Sequence, residues 1–100
     1  MLEEHAEQLG ALGHPVRLAI LRFAVQAGAE GATAGDIQAH VDLLASTLSH
    51  HLKRLVDAGV MRTRGEGTFH YYAAGYEALR KLSAYLWEDC CKNGKRSGCC

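Results

Sequence analysis

Only one proline is found among 100 residues, and charged residues make up 22% against 48% hydrophobic. That balance excludes a disordered chain and, at this length, leaves room for one compact domain with a real core. Long apolar runs are missing. None approaches the roughly 20 residues that span a bilayer, and the opening MLEEHAEQLG is acidic rather than basic-then-apolar, so neither a membrane span nor a secretory signal is expected. The expectation is a soluble, cytoplasmic protein. Cysteine is absent from the body of the chain, all four lying at the end as Cys90-Cys91 and Cys99-Cys100. A disulfide-stapled fold, whose bridges tie distant parts of the core, is thereby excluded.

Net charge is absent too, but the sum of zero hides its distribution. Residues 1–45 carry two arginines against six acids, a net of minus four. Residues 46–72 carry Lys53, Arg54, Arg62 and Arg64 against Asp57 and Glu66, a net of plus two, together with His50, His51 and His70. Lys92, Lys95 and Arg96 follow with no acid after them. Positive charge is thus gathered in two places that could each face a partner.

Apolar residues recur at helical spacing at Leu2, Ala6, Leu9 and Leu12, which predicts a short amphipathic helix ending at Gly13. His14-Pro15 opens a second helix with Val16, Ala19, Ile20, Phe23 and Ala24 on one face, closed by Gly28. Thr33 and Asp36 form a capping box before a short helix, AGDIQAHV. After a turn at 42–44, Leu48, Leu52 and Leu55 predict a helix over 45–58 with Gly59 as its terminator. The period then shortens to two. Residues 60–64 and 68–73 read as strands joined by a turn at 65–67, with Val60, Phe69 and Tyr71 on the inner face. Leu79, Leu82 and Leu86 return to helical spacing over 76–90, and a chain this small can hardly bury that stripe within one subunit. Two units follow: a winged helix-turn-helix domain over 1–90, mainly α with a β-hairpin wing, and a flexible cysteine-containing tail over 91–100.

Two helices joined by a tight turn and followed by a hairpin make a DNA-reading arrangement. With the leucines inward, about 100° per residue sets Ser46, His50, Lys53 and Asp57 on the opposite face, flanked by Thr47, Ser49 and Arg54. Small hydroxyl side chains allow close approach to a groove, while Lys53, Arg54, Arg62 and Arg64 reach phosphates. His51 points toward the bundle as a packing residue. Periodicity alone leaves open an ordinary amphipathic helix with a solvated polar face.

The strings LGHPVRLAIL and STLSHHLKRLVDAGVMRTRGEGTFHYY resemble the ArsR/SmtB family of winged-helix metal-responsive repressors, in order and spacing over residues 9 to about 90. The resemblance implies a homodimer joined through its first and last helices, which binds a double-stranded inverted-repeat operator and releases it on binding an inducer. Ser46, Thr47, Ser49, His50 and Lys53 occupy that family's recognition-helix positions. The turn VDLLA departs from the family by lacking the usual glycine.

Where the family's arsenic-binding cysteine pair would lie, before the recognition helix, Ala32-Thr-Ala-Gly35 stands instead, and the last helix has no histidine for the family's interhelical zinc site. The cysteine cluster remains. Trivalent arsenic takes three soft thiolates in a trigonal pyramid. Cys90 and Cys91 can turn two sulfurs toward one point, and the tail can bring Cys99 or Cys100 as the third, with Lys92, Lys95 and Arg96 favouring the thiolates. The arrangement also resembles a subgroup of arsenic repressors with a vicinal pair at the end of the last helix. The expected inducer is arsenite, with antimony next. A zinc, cadmium or lead site, a redox switch and a tail without function are the alternatives, although adjacent cysteines suit zinc less well than C-x-x-C. An enzyme, such as a thiol or arsenate reductase, would need a phosphate loop and a positioned base, and neither is in the sequence. Neither a small organic substrate nor a membrane partner is expected.

Overall fold

Local chemistry begins each helix of the computed structural model, which describes residues 1–94. The elements run α1 (Leu2–Leu12), α2 (Pro15–Ala27), β1 (Ala32–Thr33), α3 (Ala34–Val41), α4 (Ala45–Asp57), β2 (Met61–Glu66), β3 (Phe69–Ala74) and α5 (Tyr76–Trp87). At the head of α2, Pro15 sits in the first turn and the His14 ring nitrogen Nδ1 accepts the Val16 N–H at 3.1 Å. At the head of α3 the capping box is complete: Thr33 Oγ1 accepts the Asp36 N–H at 3.1 Å, and the Asp36 carboxylate accepts the Thr33 N–H at 3.4 Å.

The turn from α3 to α4 resolves the missing glycine. Asp42 takes the left-handed conformation at φ 55°, which aspartate tolerates better than most side chains. The Gln38 amide donates to the Leu43 carbonyl at 3.0 Å and holds the turn. Recognition-helix geometry therefore starts at Ala45, with Leu44 as its N-cap.

The sheet is antiparallel in the order β1-β3-β2. Its two-residue first strand, Ala32–Thr33, pairs with Tyr72 and Tyr71, and was too short to show as a periodicity. The hairpin turn falls at Gly67-Thr68 rather than at 65–67, because Gly65 and Glu66 pair with His70 and Phe69 inside the ladder. Gly67, at φ 64°, supplies the backbone shape the turn needs.

One core holds these parts together: Ile20 from α2, Ile37 from α3, Leu55 from α4, and Val60 and Met61 at the wing base are all fully buried. On α1 the buried positions are His5, Gln8 and Ala11, with Leu2 and Leu9 exposed beside them. Three expectations about faces are corrected. Phe69, near the wing tip, is 59% exposed, since the hairpin projects beyond the core it was expected to cover. On α5 Leu82 is buried within the subunit, against the expectation of an open stripe, while Leu86 is exposed as that expectation requires, and the helix ends at Trp87 rather than near Cys90. On α2, Ala19 is likewise exposed and Leu21 takes its place inside.

Gly31 is required where the β1 approach passes β3. Its φ is +83°, and a Cβ there would lie 2.5 Å from the Tyr72 carbonyl oxygen, a backbone atom that cannot move aside. Gly31→Ala should lower unfolding stability by about 2 kcal/mol or more in urea denaturation, and a change within error would show that the strand edge can shift.

Candidate nucleic-acid interface

α4 is the most strongly two-faced helix of the fold. Leu48, His51, Leu52 and Leu55 are buried, and Ser46, Thr47, Ser49, His50 and Lys53 are exposed together on the opposite side. Ala45, Ser46 and Thr47 occupy the first turn and carry no charge, and the N-cap Leu44 just before them is exposed. Lys53 pairs with Asp57 at 2.9 Å, and both side chains are well exposed. Such a pair is worth under about 1 kcal/mol, so a phosphate can take the ammonium from it.

Arg54 is placed differently from the other cations. Its guanidinium bonds Glu7 of α1 at 2.7 Å and passes over Gly10, so it braces α4 against α1. Sequence reasoning gave no sign of this contact between residues 47 apart. On the wing, Arg62 and Arg64 lie two apart on β2, opposite Ala73 and Tyr71, and so share one face. Arg64 is ordered by an ion pair with Glu66, by donation to the Glu30 carbonyl at 3.2 Å, and by its position 4.7 Å over the Tyr71 ring. Arg62 has no ion-pair partner among the described residues.

Cys90 and Cys91 follow α5 in successive turns, with their sulfurs 3.5 Å apart, and neither is a free thiol. Lys92 lies 4.0 Å from Asp89. Cys99 and Cys100, with Lys95 and Arg96, lie outside the described residues. Among the described residues no group of three or more histidine, cysteine or acidic side chains is arranged to hold a metal.

A helix-turn-helix domain family model matches residues 12–64, from the end of α1 to the wing base. The HTH-type transcriptional regulator YgaV of Escherichia coli strain K12 is 33% identical over 84 residues, 84% of this chain and 83% of that protein. The arsenical resistance operon repressor of Staphylococcus xylosus is 35% identical over 71 residues, 64% of this chain and 68% of that repressor. A solved ArsR family transcriptional regulator superimposes with a TM-score of 0.79 at 25% identity, covering 97% of each chain. The chain belongs to the ArsR family of winged helix-turn-helix regulators. As a member, it is a DNA-binding transcriptional regulator, and its relatives are regulators rather than enzymes. No helix among the described residues is long and apolar enough to cross a membrane.

In this ArsR-family chain the underside of the recognition helix rests on a basic cluster that the periodicity did not reveal beyond His51. Arg17 Nε donates to the Ala11 carbonyl at 2.6 Å, and Arg17 Nη1 lies 3.4 Å from His51 Nδ1. An arginine can only donate, so Nδ1 is the acceptor and the neutral imidazole carries its proton on Nε2. The His14 ring is 5.0 Å from that of His51, and the His50 ring 6.2 Å. Burial, then His14, Arg17 and His50 in that order, hold His51 below the usual histidine value of 6.5.

The sign of the pH effect follows. A histidine kept neutral by the fold leaves the unfolded chain binding more protons, so its contribution to stability is full above the unfolded value and is lost as pH falls below it. Melting temperature should drop from about pH 7.5 to about pH 5, and His51→Asn should flatten that slope. An unchanged slope in the variant would assign the pH dependence to other groups.

Proposed function

We propose that this ArsR-family protein is a repressor that binds its operator as a homodimer and releases it when trivalent arsenic, or antimony, is captured by C-terminal cysteines. Ser46, Thr47, Ser49 and His50 face the base edges, Lys53 with Arg62 and Arg64 holds phosphates, and Arg54 supports α4 from behind. The segregation of α4 into a buried leucine face and an uncharged, hydroxyl-bearing face supports this reading most strongly. Replacing Lys53 by alanine should weaken binding to specific and random duplexes alike and flatten the salt dependence by about one phosphate contact. Ser49→Ala should instead reduce the discrimination between them, read by fluorescence anisotropy at several salt concentrations. Equal losses of discrimination in both variants would contradict the division of roles.

The dimer reading is supported by the apolar surface that one copy leaves open. Leu2 and Leu9 on α1 and Leu86 and Trp87 at the end of α5 are all exposed. Leu82 belongs to the subunit's own core, so the interface is assigned to the exposed set. Leu86→Glu should give a folded monomer in sedimentation that binds operator far more weakly, whereas a folded dimer would remove α5 from the interface.

Arsenic is supported by two sulfurs 3.5 Å apart just beyond α5 and by the likeness to an arsenical resistance operon repressor. In this reading Cys90 and Cys91 bind first, and Cys99 or Cys100 completes the trigonal set, Cys99 being favoured by its shorter loop. With reductant present, Cys90→Ser/Cys91→Ser should bind operator normally and no longer release it with arsenite. Release at the parent's arsenite concentration would overturn the assignment. A redox-responsive repressor is the second reading, favoured by the absence of a free thiol at either position, and release by a thiol oxidant without arsenite would select it.

A further inference from the structure

A cavity of about 500 Å³ opens between the start of α1, the wing base and the first turns of α5. His5 and Gln8 line it and are 5% and 3% exposed. Each spends one polar atom on the other, His5 Nδ1 lying 3.3 Å from Gln8 Oε1, and the His5 ring stacks on Tyr85 at 4.5 Å. The Gln8 amide nitrogen and His5 Nε2 have no partner among the described residues. Since no fully buried side-chain polar atom among the described residues lacks a partner, these two atoms keep some access to solvent, and their residues line the cavity.

Three further features converge there. α5 begins at Gly75 without a side-chain cap, so the N–H groups of Tyr76, Glu77 and Ala78 carry the unsatisfied donors of its first turn into the cavity wall. Arg62, the wing cation without an ion-pair partner among the described residues, lies on the same wall. Lys81 adds a second cation, 3.9 Å from Glu77, whose carboxylate is also bound by Arg80 at 3.1 Å. Glu4 is the opposing acid, with no basic partner among the described residues. The remaining wall is mostly apolar, from Met1, Tyr76 and Ala78. Volume, apolar walls and a few convergent polar groups are what a small-molecule site requires.

We propose that this cavity binds a small monocarboxylic acid with a short apolar or aromatic body, its carboxylate held by the first turn of α5 and by Arg62. Gln8 and His5 complete the polar end, and the body lies against Tyr76 and Ala78. The site lies beside the exposed stripe of α1: His5 follows Leu2 by three residues and precedes Leu9 by four, so the buried row of His5, Gln8 and Ala11 flanks the two leucines, and the cavity is lined from the buried row. It is separate from the cysteines. Occupancy engages Arg62, a residue assigned above to phosphate, so the ligand and DNA compete for one cation. An effector of that kind goes beyond arsenite release and does not depend on it.

The test uses the free full-length protein, so its outcome is independent of DNA binding. Titrating ¹⁵N-labelled protein with benzoate at constant ionic strength should shift the Glu77 and Ala78 amides and the Gln8 side-chain amide saturably. Benzyl alcohol, which keeps the ring and lacks the charge, should bind at least about tenfold more weakly. Arg62→Gln should weaken benzoate by about tenfold, and Glu4→Gln should tighten it. Shifts that fail to saturate, that spread equally to Lys53 and Arg64, or that survive Arg62→Gln unchanged would overturn the proposal. If Arg62→Gln disturbed the spectrum as a whole, Lys81→Gln would supply the charge test at a second, exposed position, again with weaker binding expected and unchanged binding contradicting the site.

Discussion

Burial of Leu48, Leu52 and Leu55 against the α2–α3 core and the wing base fixes the face that α4 presents to solvent. All three are essentially inaccessible, and each such side chain is worth about 1.5–3 kcal/mol on burial. Their spacing leaves one rotation for α4, and that rotation determines which residues look outward. Ser46, Ser49, His50 and Lys53 owe their presentation to the leucines beneath them, and Val60 and Met61, packed into the same core, carry that registration into the wing. A single apolar stripe thus sets the relation between recognition helix and hairpin. His51 closes its edge, its pKa held below the usual histidine value by burial first and then by His14, Arg17 and His50.

α1 is the element that touches both ends of the subunit. Through the His5–Tyr85 stack it meets α5, whose end leads to the vicinal cysteines, and through Glu7 it holds Arg54 on α4. Ala11 and Leu12 pack on the core while Leu2 and Leu9 lie open, so the position of α1 depends on that packing, on these polar contacts and on whatever covers the two exposed leucines. A coupling of about 1–3 kcal/mol between inducer and operator, enough to weaken DNA binding roughly 5- to 150-fold, is small on the scale of such contacts. No large rearrangement of the core is required for it.

The winged helix-turn-helix was legible in the sequence because each element announces itself through a local rule: proline after a capping histidine, a capping box, a leucine stripe, and a change of period. The exposed polar face of α4 was legible for the same reason. On α1 the spacing of the leucines did not show that His5, Gln8 and Ala11 would be the buried positions, because a polar pair that satisfies itself leaves no apolar signal, and on α5 Leu82 is buried in a stripe expected to lie open to a partner. The pairing of Arg54 with Glu7 was not legible because the carboxylate lies on a different helix, and long-range ion pairs leave no periodicity. The short strand β1 escaped notice because two residues cannot establish an alternation, and the hairpin turn was misplaced because Gly65 competes with Gly67 as a turn signal. Only Gly67 takes a positive φ.

The account rests on α4 presenting its hydroxyl face to the major groove while the wing arginines bracket the backbone. A crystal structure of the protein on a duplex selected from random DNA tests this most directly. It should show two copies related by a two-fold axis, with Ser46 and Ser49 at hydrogen-bonding distance from base edges. Arg62 and Arg64 should lie on phosphates, and Arg54 should still be bound to Glu7. A complex in which α4 faces solvent, or in which the exposed α1–α5 surface lies on the DNA, would contradict it.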